Sequence, residues 1–212
     1  MKLQRRPLQS GIRDSVLHAV VSGAIAPGQK IAIQPLADTL GVSATPVREA
    51  LNSLVSEGVL EMLPGGSAIV PTTTRAALKE WLWLRHVIET QLLLRGLERK
   101  SKTESSQIIA FAATASRPKA ELDFCIDVGA SVIDRIIALA DQPVLRMNLL
   151  RVRMRCGSSL YAALRRLGAK PAINFSSAVA LALTAGNDAD VCAAHDRYLA
   201  QVDAAALSSF EK

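Results

Sequence analysis

The feature that most constrains this chain is the stretch from Leu36 to Leu60, LADTLGVSATPVREALNSLVSEGVL. Apolar residues recur at helical spacing on either side of Gly41, and Gly58 follows the second run. Glycine commonly ends helices because it adopts a left-handed conformation without steric cost. The stretch therefore predicts two short helices around a tight turn, which is how a helix-turn-helix presents its second helix to a DNA groove.

The second of these helices has an apolar side and a polar side. Thr45 followed by Pro46 predicts its start, with the threonine as N-cap and the proline as the first helical residue. Its inward side consists of Val47, Leu51, Leu54 and Val55, spaced i, i+4, i+7 and i+8. Its outward side consists of Thr45, Arg48, Glu49 and Asn52.

The outward side carries residue types that suit DNA. Arg48 and Asn52 are four residues apart and share one face; arginine pairs with guanine edges or phosphate oxygens, and asparagine pairs with adenine edges. Ser43, Thr45 and the helix N-terminus suit phosphate oxygens. The alternative interpretation is that these are ordinary solvated residues on a helix surface.

A predicted β-hairpin follows directly. Two short apolar runs, 59–63 and 67–70, flank the turn sequence Pro64-Gly65-Gly66. A hairpin placed after a recognition helix is a wing, and Gly65 and Gly66 allow its backbone to approach a duplex closely. Residues 71–74, one proline and three threonines, predict an extended linker.

The remainder of the chain has a helical hydrophobic pattern with short breaks. The predicted helices are 10–22 and 35–40 before the recognition helix, and 75–99, 104–115, 118–140, 142–167, 173–186 and 188–209 after the linker. Aromatic residues make up only 4% of the chain, which favours packed helices over sheets. We therefore predict a mainly α chain: a winged helix-turn-helix with a β-hairpin wing over residues 1–72, and an all-α antiparallel helical bundle over residues 73–212.

Overall charge adds little to this interpretation. The net charge of +6 suits a polyanionic partner, yet residues 1–75 hold seven Lys or Arg against five Asp or Glu, so the excess is not concentrated there. The three cysteines are far apart without CxxC spacing, which favours buried free thiols in a reducing compartment. We find neither a signal peptide nor an apolar run long enough for a membrane span, and therefore expect a cytoplasmic protein.

Residues 22–70 resemble the winged-helix DNA-binding domain of GntR-type bacterial transcription regulators. The matching segments are SGAIAPGQKI, LADTLGVSATPVREALNSLVSEGVL and LPGGSAIV, and the string VSxTPVREAL is specific to that family. The resemblance implies DNA contacts for Gln34, Ser43, Thr45, Arg48 and the wing around Gly65.

One position departs from the family pattern. Ala44 stands between the serine and the threonine, where the family usually has an arginine. Losing a bidentate guanine reader costs about 1–3 kcal/mol of base discrimination. We therefore expect either an operator that differs from the common one of the family or a lower affinity.

The first predicted bundle helix carries an arginine on an apolar stripe, formed by Leu78, Trp81, Arg85, Ile88 and Leu92. A lone arginine on such a stripe needs an anionic partner. One interpretation is a structural pair with Glu89, four residues on. The other is that Arg85 faces a pocket and binds the carboxylate or phosphate of a small-molecule effector.

The segment LRHVIET, residues 84–90, resembles the start of the all-helical effector domain of the FadR C-terminal type (FCD), and ALADQPVLRMNLLRVRMR resembles it more weakly. Many such domains hold a metal through one Asp and three His. The alignment puts Asp123 at the Asp position and Asp127, Ser176 and Tyr198 at the His positions. We therefore expect no metal cofactor, although a carboxylate-and-water site for a harder ion stays open.

His195 shares a predicted stripe with Val191, Tyr198 and Val202, one helical turn from the expected metal position. The residues expected to bind an effector, with a carboxylate as the favoured ligand, are Arg85, Asp123, Asp127, Ser176, His195 and Tyr198. A hydrogen-bonded structural role for His195 is the alternative.

The resemblance and the pattern together imply a homodimeric transcription regulator, most simply a repressor, that reads an inverted repeat of double-stranded DNA under the control of a small-molecule effector. A single small winged helix buries too little surface for tight specific binding. An alternative is a ligand-independent or architectural DNA-binding dimer with a vestigial pocket. A second alternative is an enzyme using Asp123 and Asp127, but the sequence has no nucleophile elbow, phosphate loop or HExxH motif, so we expect none.

Overall fold

The computed structural model describes residues 5–117 and 120–210, with side chains from residue 9 onward. Its N-terminal part begins with helix α1 (Arg5–Val21), which buries Ile12, Val16 and Val20 at helical spacing. Strand β1 (Lys30–Ile31) and helix α2 (Ile33–Leu40) follow, and α2 ends at Gly41, whose φ of 64° is the left-handed cap expected there. Helix α1 begins earlier than the predicted residue 10.

Helix α3 (Ala44–Ser56) is the predicted recognition helix, but it begins two residues before the position expected. Ser43, with extended backbone, is the N-cap in place of Thr45, and Ala44 is the first helical residue. Pro46 is therefore the third helical residue, a position at which no backbone N–H is required for the helix ladder. The consequence is that the side chains of both Ser43 and Thr45 lie beside the unpaired N–H groups of the first turn.

The predicted hairpin is present as β2 (Glu61–Met62) and β3 (Ala68–Ile69), which pair antiparallel. The sequence pattern missed the third strand of this sheet. Strand β1 pairs antiparallel with the other edge of β3, with Lys30 opposite Ile69 and Ile31 opposite Ala68, so that the strand order is β1-β3-β2.

The C-terminal part is helical throughout its described residues. Its helices are α4 (Arg75–Arg99), α5 (Lys102–Ala112), α6 (Leu122–Ala138), α7 (Pro143–Leu167), α8 (Lys170–Ala185) and α9 (Asp188–Leu207), with 3₁₀ turns at Ala113–Ser116 and Ser208–Phe210. Helix α6 starts later than the predicted residue 118, and residues 118–119 lie outside the described part of the chain. Helix α8 begins three residues earlier than predicted.

The bundle is held by close helix crossings over a large apolar core. Helices α4 and α7 run antiparallel, since Arg99 pairs with Asp141 at one end and Arg155 lies over Trp81 toward the other. At Gly96 the backbones of α4 and α6 nearly touch: a Cβ there would lie 2.0 Å from the carbonyl oxygen of Ile136. Helices of ordinary composition cannot approach so closely, so glycine sets this crossing.

The two parts of the chain pack against each other along α1 and α7. Met154 of α7 packs on the apolar core of the N-terminal part. Arg155 reaches across to Glu61 of β2 at 3.7 Å, and its guanidinium fills the space that a side chain at Gly58 would take. In the described residues, no helix is both long and apolar enough to cross a membrane.

Candidate functional site

The polar face of α3 stands in solvent. The side chains of Thr45, Arg48, Glu49 and Asn52 are exposed, whereas Val47, Ala50, Leu51 and Leu54 are buried. Val55, expected on the inward stripe, is half-buried at its edge. The hydrophobic pattern thus orients the helix as predicted, with its polar side available to a partner.

Arg48 is well placed for such a partner because no described residue pairs with its guanidinium. The Ser43 side chain, at the N-cap of the same helix, accepts no capping hydrogen bond from the first turn. Gln34 is exposed on the neighbouring helix α2, where its amide donates to Asp38 at 2.8 Å. An unpaired guanidinium beside an uncapped helix N-terminus is a suitable surface for phosphate oxygens and base edges.

The wing, which consists of β2, β3 and the turn between them, follows α3 directly along the chain. Gly65 and Gly66 are exposed with φ of 96° and 85°, left-handed values that residues with a side chain rarely adopt. The Leu63 N–H donates to the Ser67 carbonyl at 2.8 Å and closes the turn. The wing can therefore present bare backbone to a duplex.

Helix α1 is tied to the end of the recognition helix. The Arg13 guanidinium donates to both carboxylate oxygens of Glu57, with an Nε–Oε1 distance of 2.9 Å. The hydrogen bond from Arg13 lowers the pKa of Glu57, with partial burial opposing it and Ser53 assisting. A displacement of α1 would therefore also move the C-terminal end of α3.

Inside the bundle, Arg85 does not pair with Glu89, which corrects one interpretation of the sequence. Its Nη2 donates instead to Asp203 of α9 at 2.6 Å. Arg85 is almost fully buried, and its Nε has no partner among the described residues. The predicted apolar stripe does face inward, and Arg85 has the anionic partner that the sequence called for, although that partner is Asp203 rather than Glu89.

Glu89 lies instead at the centre of a second buried group. It accepts from Arg153 Nε at 2.6 Å and lies 3.2 Å from His195 Nε2. Burial alone would raise the pKa of Glu89, but Arg153, the His195 hydrogen bond and Arg85 together hold it below its usual range. Since the ionised carboxylate can only accept, His195 Nε2 is the donor of this hydrogen bond, and His195 Nδ1 has no hydrogen-bond partner in the described structure, lying 3.9 Å from Asp196 Oδ1.

A cavity of about 350 Å³ opens beside these charged groups. Four of the six predicted effector residues line it: Arg85, Asp127, His195 and Tyr198. Burial raises the pKa of Tyr198 to about 12, so its phenol stays neutral. Burial and the charge of Asp123 raise the pKa of Asp127, which lies at the mouth near His18.

Two predicted effector residues do not line this cavity. Asp123 is on the surface, where its carboxylate accepts from Arg165 and Tyr161, each at 2.9 Å. Ser176 is fully buried in α8, and its hydroxyl has no partner among the described residues. The effector role predicted for these two residues therefore has no contact with the cavity to support it.

Sequence reasoning missed other lining residues. Glu89 and Arg153 line the cavity, as do Leu17 and Val21 of α1. Glu89 could have been found because it lies one turn from Arg85. Nothing in the local pattern indicated that α1 would reach the bundle.

The residues do not fit the metal site of FCD-type domains. Asp123, the one match to the expected ligand set, is paired with Arg165 away from His195, whose Nε2 already donates to Glu89. The described residues contain no group of three or more His, Cys, Asp or Glu side chains that could hold an ion. We therefore derive no role for a metal.

Comparison with known proteins agrees with the helix-turn-helix geometry. Residues 8–70 match the family described as "Bacterial regulatory proteins, gntR family". Residues 8–70 are thus a DNA-binding domain of the GntR type. The chain is 25% identical over 162 residues to the HTH-type transcriptional regulator McbR of Escherichia coli (strain K12), covering 76% of this chain and 73% of McbR.

Solved structures show that the likeness in fold extends over nearly the whole chain. Escherichia coli McbR/YncC superposes with a TM-score of 0.81 at 21% identity, covering 97% of this chain and 99% of that one. A transcriptional regulator GntR from Rhodococcus sp. RHA1 gives a TM-score of 0.69 at 16% identity, covering 94% and 97%. The winged helix-turn-helix followed by a helical domain is thus a shared architecture.

Proposed function

We propose that this regulator acts in the cytoplasm as a homodimeric repressor, which binds an inverted repeat of double-stranded DNA and responds to a small molecule in the bundle cavity. The observation that carries the DNA-binding part is the polar face of α3, where Arg48 is exposed beside the N-terminus of the helix and no residue that the structure describes pairs with it. We assign no catalytic role, since Asp123 does not share the cavity with Asp127.

Two helices of the bundle support a homodimer. Helix α4 exposes the apolar stripe Trp83, Val87 and Leu94, and α7 exposes Val144, Met147 and Leu150. Trp83 alone is 67% exposed, which is unusual for a large aromatic residue on a monomer. A second copy of the chain suits these stripes because two-fold symmetry packs the apolar stripes of one chain against the equivalent stripes of the other. The same symmetry places two recognition helices on one operator.

The DNA-binding proposal is tested by selection from random duplex DNA at low salt, followed by titration of the selected sequence. We expect an enriched inverted repeat bound by two chains, with an affinity that falls steeply as salt rises because phosphate contacts release counterions. Arg48→Ala should weaken binding by about 1–3 kcal/mol. Absence of any enriched sequence with folded protein would refute the proposal.

A matched control separates a specific contact from a general loss of positive charge. Arg151 is exposed on α7, far along the chain from the recognition helix. Arg151→Ala removes the same charge and should leave operator affinity within about 0.5 kcal/mol of the original. Equal losses for the two variants would remove Arg48 from the reading surface.

The effector part has its own test. Thermal melting with a broad set of small metabolites should show at least one that raises the melting temperature and shifts operator affinity, because an effector must bind two states of the regulator differently. If none does, the ligand-independent DNA-binding dimer with a vestigial pocket becomes the better interpretation. Transcription from the operator should rise when the chain is removed; a fall would contradict repression.

A further inference from the structure

The cavity beside Arg85 and His195 lies between the two parts of the chain, and its chemistry differs from what the sequence suggested. We propose that it binds an uncharged, largely apolar molecule, which contacts the DNA-binding domain and the helical bundle at the same time. This inference rests on the proposed effector function and names the class of ligand for that site.

One wall of the cavity belongs to the DNA-binding domain. Leu17 and Val21 of α1 line it opposite residues of α6 and α7. The two domains are in contact here, since a Cβ on Gly157 of α7 would lie 3.6 Å from Val21. A molecule in the cavity would therefore touch α1 directly.

The walls are predominantly apolar. Isoleucine, leucine, valine and glycine from α6, α7 and α9 provide most of the surface, among them Ile126, Ile133, Leu160 and Val202. Burying apolar ligand surface against these side chains is favourable because it removes that surface from water. The lining thus selects a ligand with an apolar body.

The buried charges are already matched, which disfavours an anionic ligand. Arg85 is paired with Asp203, and Arg153 is paired with both Glu89 and Asp134. No arginine on the lining is left without a carboxylate partner, whereas Asp127 adds a further carboxylate at the mouth. A ligand carboxylate would lose its hydration without gaining a free cation, and this costs much more than burying an uncharged group.

A ligand ammonium is disfavoured as well, because the buried carboxylates beside the cavity are already paired. Among the buried or half-buried carboxylates, Glu89 is occupied by Arg153 and His195, and Asp203 by Arg85. Asp127 is exposed to solvent at the mouth, where pairing with an ammonium contributes little. Among the lining residues, Arg85 Nε and His195 Nδ1 have no hydrogen-bond partner in the described part of the chain, but both atoms are buried, and His195 Nδ1 lies 3.9 Å from Asp196. The cavity therefore offers a charged ligand group no buried, unmatched charge of opposite sign.

The position of the cavity links ligand binding to DNA binding. Helix α1 carries the lining residues Leu17 and Val21 and, one turn before them on the same face, Arg13, which is bound to Glu57 at the end of α3. A ligand wedged between α1 and α7 therefore favours one placement of the recognition helix relative to the bundle. Occupancy should change operator affinity without any contact between ligand and DNA.

The test uses three probes with alkyl chains of nearly equal length, each titrated calorimetrically into the full chain: 1-decanol below its solubility limit, and decanoate and decylamine below their critical micelle concentrations. We expect 1-decanol to bind at least tenfold more tightly than either charged probe, and to change the affinity of the chain for its selected operator. Tighter binding of decanoate or decylamine overturns the uncharged class, and so does the failure of all three to bind.

Variants locate the site and test the contact with α1. Gly157→Leu should fill the cavity and abolish 1-decanol binding, with Gly157→Ala intermediate. Val21→Ala should weaken binding threefold to tenfold, whereas Val55→Ala, the same deletion in the same domain outside the cavity, should leave it unchanged. Equal effects of the two valine variants would overturn the contact with α1.

The DNA-binding function is judged separately in the same samples. If the chain still selects and binds its operator but none of the probes binds, the present inference fails and the proposed DNA-binding function stands. If operator binding is absent in folded protein, the proposed function itself fails, whatever the probes show.

Discussion

Replacing Glu89 by glutamine should destabilise the protein by about 2–4 kcal/mol. Removing one partner of a buried ion pair typically costs about 3–5 kcal/mol. The lower part of that range applies because the Arg153 side chain is 26% exposed and keeps Asp134. His195, only 1% exposed, would lose its acceptor or share a weaker one.

The same variant should change how stability depends on pH. The folded-state pKa of Glu89 lies below its ordinary value. Its stabilising effect is therefore fully present above the ordinary glutamate pKa of about 4.3 and is lost as the pH falls from there toward the lower folded value. Glu89→Gln lacks this carboxylate, so the difference between the two proteins should shrink on acidification.

The assay is urea unfolding followed by circular dichroism at one fixed protein concentration, because association contributes to apparent stability. Glu98→Gln is the matched control: Glu98 is 62% exposed and pairs only with Arg95, so it should cost at most about 1 kcal/mol. In a double-mutant cycle, Glu89→Gln and Arg153→Met should show a coupling of about 0.5–3 kcal/mol. Equal losses for Glu89→Gln and Glu98→Gln would refute the buried-pair reasoning.

Two further substitutions test the fold and the reading surface. Gly96→Ala should destabilise the protein by about 1–3 kcal/mol in the same unfolding assay, because the new methyl would lie 2.0 Å from the Ile136 carbonyl oxygen. Gly11→Ala is the control and should not destabilise, since a Cβ there has no atom within 4 Å. A loss at Gly11 as large as the loss at Gly96 would contradict the close-crossing argument. Ala44→Arg, which restores the arginine usual in the family, should tighten binding by about 1–3 kcal/mol to operator variants with guanine at the contacted position, measured by competition gel shift; no preference for guanine would exclude residue 44 from base contact.

The elements that the sequence predicted well are those whose signals are local. Helix α4 spans Arg75–Arg99, the predicted range, since Thr74 caps one end by accepting from the Ala77 N–H. The recognition helix follows its hydrophobic stripe, and the glycine turn after it forms the wing. The sequence pattern did not predict strand β1, because two residues are too few to show a hydrophobic periodicity. This strand forms only through pairing with β3, which lies far along the chain.

The candidate site was predictable by residue type but not by pairing. The stripes on α4 and α9 correctly indicated that Arg85, His195 and Tyr198 would meet in the interior. The partner of Arg85 was not predictable, since Asp203 lies 118 residues away and only the packing of α9 on α4 brings it within 2.6 Å. The same holds for Glu89, whose nearest cation comes from α7.

The amino-acid order alone determined that this chain has a helix-turn-helix with a wing, because periodicity, turn glycines and the helix start are written in neighbouring residues. It also determined that polar groups would be buried in the helical domain. Which charges pair with which, and that the cavity reaches α1, were decided only by tertiary structure. The physical reason is that these contacts depend on how rigid helices cross one another, and no short window of sequence contains that geometry.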